Sequence, residues 1–475
     1  RPADRRPTTA LASIAVRQVH VGQYHPPMRT PLALKSADSR DAWLFWLVAT
    51  VVLFAGLGLR DPWPADEPRF ALVAKQMVES GQWLFPMRGD ELYPDKPPLF
   101  MWLQAAAYAL TGQLRIAFLL PSLLAALGTL WLVRDLGRRL WSAQAGTYAA
   151  WALLFALQFT WQAKRAQIDP TVTFFITLSV YSLLRHLLRG PDWRFWMLGW
   201  FAAGLGVISK GVGVVALLVL LPAAWAQWRG GTGVASMRGA KFWLGPMALL
   251  LPLALWLVPM LLAVNASDDP ALRAYADNIL LKQTAKRYAD PWHHHQPFWY
   301  FIQIALTQWL PAVAALPWML RPWRDALRAR DARILLPLAW VALVLLFFSL
   351  SSGKREVYIM PALPMLCLAM GPYLPEILAK AWPRRIAFGI ALGLSCWTVS
   401  TIEAPIAAPS MLSITAHASA TAAPATRAPQ IERRAAAAGL CRYEWTPGTQ
   451  AAPVIPGSLE FFLVERYLLF SADAA

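Results

Sequence analysis

The sequence predicts an all-α polytopic membrane protein. Apolar runs of roughly 17 to 24 residues, the length that crosses a bilayer as a helix, alternate along most of the chain with short polar joints. The composition agrees, because 57% of the residues are hydrophobic and only 15% are charged, with a mean hydropathy of +0.40. Spanning segments built from such runs must be helical, since a helix pairs all its backbone groups internally.

The formal net charge of +17 does not indicate a nucleic-acid partner. Lys and Arg are concentrated in the short joints between apolar runs, where they determine membrane topology, and they do not form one hydrophilic face. The cysteines Cys367, Cys396 and Cys441 have neither a disulfide framework nor metal-ligand spacing. We therefore expect membrane lipids, and no nucleic acid, among the partners.

The composition divides the chain into three regions. Residues 1–41 are basic and without periodicity, which predicts a disordered cytoplasmic segment. Residues 42–402 form the transmembrane domain, and its first apolar run has no cleavage site after it, so we expect a retained span. Residues 403–475 are rich in Ala and Pro at their start and are predicted to be a linker with a small periplasmic tail.

The basic joints set the predicted orientation of the spans. With the N-terminus inside, every inside joint is basic if the apolar piece Pro97–Leu110 lies along the interface as a helix and does not cross. About eleven spans follow, at residues 43–59, 115–133, 143–161, 170–188, 195–208, 211–228, 242–264, 298–320, 334–350, 357–377 and 386–402. The acids of the membrane domain then gather in the outer joints, so we expect the chemistry on the outer face.

The first outer loop, Asp61–Lys96, is the richest in charge. Asp66 and Glu67 open a predicted helix that has Pro68 in its first turn and ends at Gly81. An acid at this place caps the helix and complements its dipole, or it acts as a catalytic carboxylate. Because a cap needs one acid and two adjoin here, we keep Asp66 and Glu67 as catalytic candidates.

The same reasoning selects Lys96 and Asp169 as candidate site residues. Lys96 precedes Pro97 and Pro98, which restrict its backbone and leave a projecting ammonium suited to phosphate oxygens; interfacial snorkelling is the alternative. Asp169 opens a helix at the next outer joint beside Lys164 and Arg165, as a cap or as a second carboxylate. Tyr93 and Arg69 are expected substrate contacts of this loop.

Two later outer joints add further candidates. The loop Asn265–Gln296 contains Arg287, Asp290 and three consecutive histidines, of which one could bind a metal, contact substrate or belong to a plain interfacial loop. The joint after Ser351 supplies Lys354, Arg355 and Tyr358. Adjacent cations on the outer side suggest an anionic ligand, and snorkelling is again the alternative.

Together these candidates suit a lipid-linked phosphate held by Lys or Arg while a carboxylate deprotonates an attacking hydroxyl. A flippase or transporter for lipid-linked sugars would use the same cations without breaking a bond. It predicts functional charge distributed through the spans, whereas here the ionisable residues gather at one face. A non-catalytic scaffold would tolerate the loss of every outer-face charge.

Several stretches resemble a known family in order along the chain: DEPRFALVAKQMVESGQWLFPMRGDELYPDKPPLFMWLQA, KRAQIDPTVTFF, HHHQPFWYFIQIALTQWLPAVAALPW and SSGKREVYIMPALP. They are similar to the bacterial aminoarabinose lipid A transferase and its protein mannosyltransferase-like relatives. The resemblance implies a GT-C fold, juxtamembrane helices in the first outer loop, and a bacterial inner-membrane enzyme whose active site faces the periplasm. It also implies inverting transfer from a polyprenyl-phosphate sugar to lipid A, a glycan or a protein.

The resemblance also implies roles by position. Asp66 matches the first-loop carboxylate, a catalytic or acceptor-orienting acid, Lys96 the donor-phosphate lysine and Asp169 the second acid of the cavity. Arg287, Lys354 and Arg355 are further phosphate candidates by their charge and not by the resemblance. Asp95 and His294 match positions associated with a divalent metal, Zn or Mg or Mn. Asp95 stands where relatives often have Glu, which shortens the ligand arm. The short tail departs from the family, so acceptor recognition is open.

Overall fold

The fold is described from a computed structural model, which covers residues 31–63, 66–230, 233–280, 296–351, 353–390 and 393, with side chains from residue 40 onward. These residues are mainly helical. The first part of the chain contains α1 (Pro31–Phe54), α2 (Glu67–Ser80), a hairpin of β1 (Met87–Arg88) and β2 (Glu91–Leu92), α3 (Leu99–Thr111), α4 (Leu114–Ala117), α5 (Leu120–Leu140), α6 (Ala143–Leu154), α7 (Leu157–Ala163) and α8 (Ile168–Leu188).

The second part continues the bundle. It contains α9 (Trp193–Lys210), α10 (Leu220–Trp228), α11 (Leu244–Asn265), α12 (Pro270–Asp277), α13 (Tyr300–Gln308), α14 (Leu316–Arg328), α15 (Ala332–Leu350), α16 (Leu363–Met370) and α17 (Leu374–Ala379). Short 3₁₀ segments precede four of these helices, at Val212–Val219, Ala240–Trp243, Ala312–Ala315 and Glu356–Ala362. The predicted all-α architecture is confirmed.

Some of the membrane spans predicted from the sequence correspond to long apolar helices of the structure. Within the described residues, four helical segments are long and apolar enough to cross a bilayer: Leu114–Leu140, Ile168–Leu188, Ala240–Asn265 and Ala332–Leu350. A fifth would be the pair formed by α13 and the segment Ala312–Arg328, which is bent by 94°. Most of the predicted span 386–402 lies outside the described residues. The count of eleven therefore stays a prediction.

Helix breaks account for part of the difference. The predicted span 143–161 is interrupted at Phe155–Ala156, and the predicted span 211–228 starts as a 3₁₀ segment. α1 begins at Pro31, inside the region 1–41 that the sequence predicts as a separate segment. The structure does not describe residues 1–30 or 403–475. α3 is too short to span, and its position along the interface stays a prediction.

The core of the bundle is formed by α5, α6, α8 and α9, which pack side by side. Small residues allow the closest approaches: Gly137 of α5 faces Gly146 of α6, and Gly206 of α9 faces Gly213. α11 lies at the periphery, since only 22% of its most apolar stretch is buried inside the protein. Its exposed leucines are suited to contact with lipid.

The first outer loop folds as predicted in its main features. α2 has Pro68 in its first turn, and Gly81 ends it in the left-handed conformation at φ 71°. α3 packs on α2, where Phe70 and Phe100 meet edge to face with ring centroids 5.5 Å apart. Asp66 is the N-cap residue of α2, but its side chain makes no capping hydrogen bond. It pairs with Arg69.

The Gly137–Gly146 contact gives the first testable prediction. In a Gly146→Ala variant the new Cβ would run into the backbone of Arg134 and Arg138, so α5 and α6 must separate. We expect a loss of about 1–3 kcal/mol in the free energy of unfolding, seen as a lower thermal transition of the detergent-solubilised protein. Gly389→Ala is the control, since nothing lies within 4 Å of its added Cβ. Equal transitions for both variants would contradict this packing.

Candidate active site

The central feature of the predicted outer face is the buried carboxylate of Glu67. It has no solvent exposure and accepts two hydrogen bonds from Arg60, at 2.6 and 3.0 Å. It accepts two more from the backbone amides of Trp63 at 2.7 Å and Ala166 at 2.8 Å. These contacts, which we call the Glu67 clamp, join the end of α1, the start of α2 and the joint between α7 and α8.

Arg60 extends the clamp. Its guanidinium also donates to the carbonyl oxygens of Asp61 at 2.9 Å and Lys164 at 2.8 Å. The same joint is held from α5, where the Ser122 hydroxyl donates to Gln167 O at 3.2 Å. The segment that leads into Asp169 is thus fixed against the segment that leads into Asp66.

These contacts change the role assigned to Glu67. Both carboxylate oxygens are engaged by hydrogen bonds to Arg60 and to backbone amides, and the side chain is closed to solvent. A general base must reach the proton of its substrate. We therefore reassign Glu67 from the predicted catalytic pair to positioning the loop, which leaves Asp66 as the accessible acid.

Asp66 lies at the surface of the outer loop. Its side chain is 27% exposed and forms an ion pair with Arg69, whose side chain is 21% exposed. Asp66 directly precedes α2 and Arg69 lies in its first turn, three residues later, so the pair is local. Solvent access combined with a fixed cation leaves a carboxylate that a substrate can approach.

Tyr93 connects this pair to the second half of the loop. Its side chain is 3% exposed, and burial raises the pKa of its hydroxyl, with charge effects from Arg69, Asp95 and Asp66. These groups act on Tyr93 electrostatically because they lie near it. The structure thus brings the predicted residues Asp66, Arg69, Tyr93 and Asp95 together.

Lys96 follows directly, in the turn that precedes α3. The turn is held from both sides, because Tyr93 N donates to Pro86 O at 2.8 Å and Trp102 Nε1 donates to Trp83 O at 2.7 Å. Lys96 itself is partly exposed. The predicted phosphate lysine therefore lies on the loop that also presents Asp66.

Asp169 has a partner that the sequence interpretation did not name. Lys210, the last residue of α9, forms an ion pair with Asp169 at the first turn of α8. The Lys210 ammonium also lies 5.2 Å from the ring centroid of Tyr358. The signal in the sequence was a single lysine between long apolar runs, in the outer joint Ser209–Gly211. Asp169, Lys210 and Tyr358 form a second group of candidate residues.

The remaining predicted cations have different environments. Lys354 is 4% exposed, and its ammonium donates to the carbonyl oxygens of Gln296 at 3.0 Å and Ser351 at 2.5 Å. Arg355 is partly exposed beside it. Arg287 lies outside the described residues. Lys354 is therefore held by backbone oxygens, and Arg355 is the more accessible of the two.

Of the two predicted metal ligands, the structure describes Asp95 alone, so the metal site stays a prediction. His294 lies outside the described residues. Within the part of the chain that the structure describes, no group of three His, Cys, Asp or Glu side chains could hold a metal ion. A cavity of about 560 Å³ lies between α1, α6, α14 and α17, and none of the predicted site residues lines it.

The chain is similar to known proteins. A family profile described as dolichyl-phosphate-mannose-protein mannosyltransferase matches residues 95–259. The undecaprenyl phosphate-alpha-4-amino-4-deoxy-L-arabinose arabinosyl transferase of Pectobacterium atrosepticum is 30% identical over 369 residues, which cover 73% of this chain and 63% of the relative. The enzyme of the same description from Pseudomonas aeruginosa strain LESB58 is 32% identical over 317 residues, 65% of this chain and 55% of the relative.

A solved structure gives the fold. ArnT from Cupriavidus metallidurans bound to undecaprenyl phosphate superposes with a TM-score of 0.62 at 24% identity, over 78% of this chain and 66% of that one. The chain belongs to the aminoarabinose transferase and mannosyltransferase-like family of GT-C membrane proteins. It spans less than two thirds of the length of the curated relatives it matches, 63% and 55% for the two above. The activity and substrates of those relatives are therefore only proposed for this GT-C protein.

The Glu67 clamp gives the second prediction. Glu67→Gln leaves the buried Arg60 guanidinium without its counter-charge, so we expect a loss of about 3 kcal/mol in the free energy of unfolding of this GT-C chain. Thermal unfolding measures it. The control is Glu79→Gln, because its carboxylate is 55% exposed and lies 3.8 Å from Lys75, and such pairs contribute about 0–1 kcal/mol. A Glu67→Gln protein as stable as the control would disprove the clamp.

Lys164 gives a prediction of pH dependence. Burial, together with the charge of Arg60, lowers the pKa of Lys164 from 10.5 to about 8. Between these pH values the folded protein binds fewer protons than the unfolded chain, so stability rises with pH; below pH 8 the destabilisation is fully present.

We expect Lys164→Gln to stabilise the ligand-free protein at pH 7 by about 1 kcal/mol, because it removes a desolvated charge. This gain should shrink steadily as thermal unfolding is repeated from pH 8 to pH 10. Lys380→Gln is the control, since the Lys380 side chain is exposed and its ammonium stays hydrated in the folded protein. A gain that did not change with pH would contradict the titration of Lys164.

Proposed function

We propose that the chain is an inverting glycosyltransferase that moves a sugar from a polyprenyl-phosphate donor to a lipid A-like or other envelope acceptor. The reaction takes place at the periplasmic face of the bacterial inner membrane. One observation carries the proposal: Glu67, the neighbour of Asp66, accepts a hydrogen bond from Ala166, three residues before Asp169. The loop with Asp66 and Lys96 is thereby held against the outer end of the bundle, where Asp169 and Lys210 meet.

The relatives support the choice of donor. The enzymes of Pectobacterium atrosepticum and Pseudomonas aeruginosa are named as undecaprenyl phosphate aminoarabinose transferases, and the Cupriavidus metallidurans protein binds undecaprenyl phosphate. A lipid phosphate requires cations at the membrane surface, and Lys96 and Arg355 are partly exposed on this loop and a neighbouring joint. Arg287, Lys354 and Lys210 are further candidates for this role.

The steps follow from the exposed groups. An acceptor oxygen attacks the anomeric carbon on the side opposite the phosphate, and Asp66 takes the proton of the attacking hydroxyl. The bond between the anomeric carbon and the phosphate oxygen breaks, and its electron pair leaves with the polyprenyl phosphate. Negative charge grows on that phosphate in the transition state, so Lys96 stabilises it there more than in the bound donor.

The other candidates assist this transfer. Arg69 orients the Asp66 carboxylate through their ion pair, and Tyr93 and Tyr358 are proposed sugar or acceptor contacts. Asp169 is the proposed second acid, with Lys210 as its counter-charge. A divalent metal at Asp95 and His294 stays a prediction. None of these steps passes through it.

Two variants test the assignment. We expect Asp66→Asn and Lys96→Ala each to lower kcat/KM about a hundredfold, because the loss of one charge contact of about 3 kcal/mol has that effect. The assay uses the purified chain reconstituted with a polyprenyl-phosphate sugar and lipid A, and measures glycosylated product by mass spectrometry. Asp90→Asn, on the exposed tip of the hairpin, is the matched control and should keep normal turnover.

Near-normal turnover in both variants would disprove the assignment. Transport of an intact lipid-linked sugar across the vesicle membrane, without product, would instead identify a flippase. The acceptor is determined by mass spectrometry of envelope glycolipids and glycoproteins from a strain that lacks the chain. Loss of a modified lipid A supports the lipid acceptor, and loss of a glycoprotein identifies a protein O-mannosyltransferase.

A further inference from the structure

A second cationic feature lies beside the Glu67 clamp and takes no part in the proposed transfer. A small cleft of about 40 Å³ is lined by Arg60, Trp63, Trp161, Lys164 and Arg165, and otherwise by apolar residues at the end of α1 and the start of α5. Three separate segments of the chain thus contribute to one cleft. We call it the Arg60–Arg165 cleft.

The lining of this cleft is positively charged. It holds three cationic side chains and no carboxylate. The charge of Arg60 is balanced from behind by Glu67. Among the residues that the structure describes, no carboxylate lies within ion-pair distance of Lys164 or Arg165, so two positive charges are left without a counter-charge.

Both of these cations also have unused donors. The Lys164 ammonium donates to one carbonyl oxygen, that of Val52, at 3.0 Å. The Nε atom of Arg165 is buried without a hydrogen-bond partner among the described residues, and its guanidinium lies 5.9 Å from the ring centroid of Trp161. A buried donor left unpaired is costly. An anion in the cleft would accept from both side chains.

We propose that the Arg60–Arg165 cleft binds the phosphate group of an anionic membrane lipid. The volume is enough for one phosphate group and too small for a sugar or a whole headgroup. Leu59, which follows α1, and Leu124 of α5 are near the cleft in sequence and are 71% and 52% exposed, so acyl chains can lie along this side of the protein. Trp63 and Trp161 suit the depth of lipid headgroups.

The electrostatic environment of Lys164 also favours a bound phosphate. The lowered pKa of Lys164 reports a charge held where water is scarce and Arg60 repels it. A bound phosphate reverses that effect, because an opposite charge at close range favours the protonated ammonium. This site is separate from Lys96, which does not line the cleft, and the proposal stands whether or not the chain is a transferase.

Calorimetric titration of the purified full chain in detergent tests the site. The probes are dihexanoyl phosphatidic acid, inorganic phosphate and the diacylglycerol with the same acyl chains. We expect phosphatidic acid to bind, inorganic phosphate to bind more weakly and diacylglycerol not to bind. The combined substitution Lys164→Gln and Arg165→Gln should weaken phosphatidic acid at least tenfold. Lys164→Arg with Arg165→Lys keeps both charges and should retain most of the binding.

Two controls separate this site from others. Lys96→Ala should leave the affinity for phosphatidic acid unchanged, and Arg273→Gln, whose side chain is 58% exposed on another outer joint, should do the same. Should the double substitution unfold the protein, the single Arg165→Gln variant gives the decisive affinity, since Arg165 Nε makes no hydrogen bond that folding depends on.

Several results would overturn the proposal. Phosphatidic acid that fails to bind the parent chain excludes the site, as does unchanged affinity in Arg165→Gln and in the folded double variant. Binding that is lost in Lys96→Ala and kept in the double variant assigns the lipid to the other phosphate site. Inorganic phosphate that binds as tightly as phosphatidic acid replaces the lipid with free phosphate as the ligand.

Discussion

The predicted outer face of this protein depends on one buried ion pair, Glu67 with Arg60. An ion taken out of water is stable in a protein only when its partner and its remaining hydrogen bonds are supplied with good geometry. Here Glu67 receives four hydrogen bonds, from Arg60 and the amides of Trp63 and Ala166. Those donors belong to two segments far apart in sequence, so the pair fixes where the first outer loop meets the membrane bundle.

Sequence reasoning found the acids of this loop but could not divide their roles. Pro68 and Gly81 were predicted correctly, because the start and end of a helix depend on residues that adjoin in sequence. Asp66 and Glu67 were treated as one pair, although adjacent residues on a helix point in different directions. Glu67 faces the bundle, and Asp66 is partly exposed to solvent. The partners that decide this, Arg60 and Ala166, were not predictable from local pattern.

The spans show the same limit. Hydropathy locates an apolar run, whereas a break inside that run is stabilised by contacts from elsewhere. The break after α6 is an example: Leu157 N donates to Leu310 O at 2.9 Å, and the Gln158 amide donates to Glu356 O at 2.7 Å and accepts from Trp309 Nε1 at 2.8 Å. Interrupted helices within the bundle thus satisfy each other's free backbone groups, as irregular backbone at membrane depth requires.

The structure gives each cation of the outer joints a different electrostatic environment, which the sequence pattern does not show. Lys210 has a carboxylate partner and Lys354 has two carbonyl oxygens, whereas Lys164 has a single carbonyl and a repelling neighbour. That neighbour is Arg60, which the Glu67 clamp and the Arg60–Arg165 cleft share. An anion in the cleft would therefore compete with Glu67 for the same guanidinium. Because Glu67 adjoins Asp66, a lipid phosphate bound there would act on the position of the proposed catalytic acid.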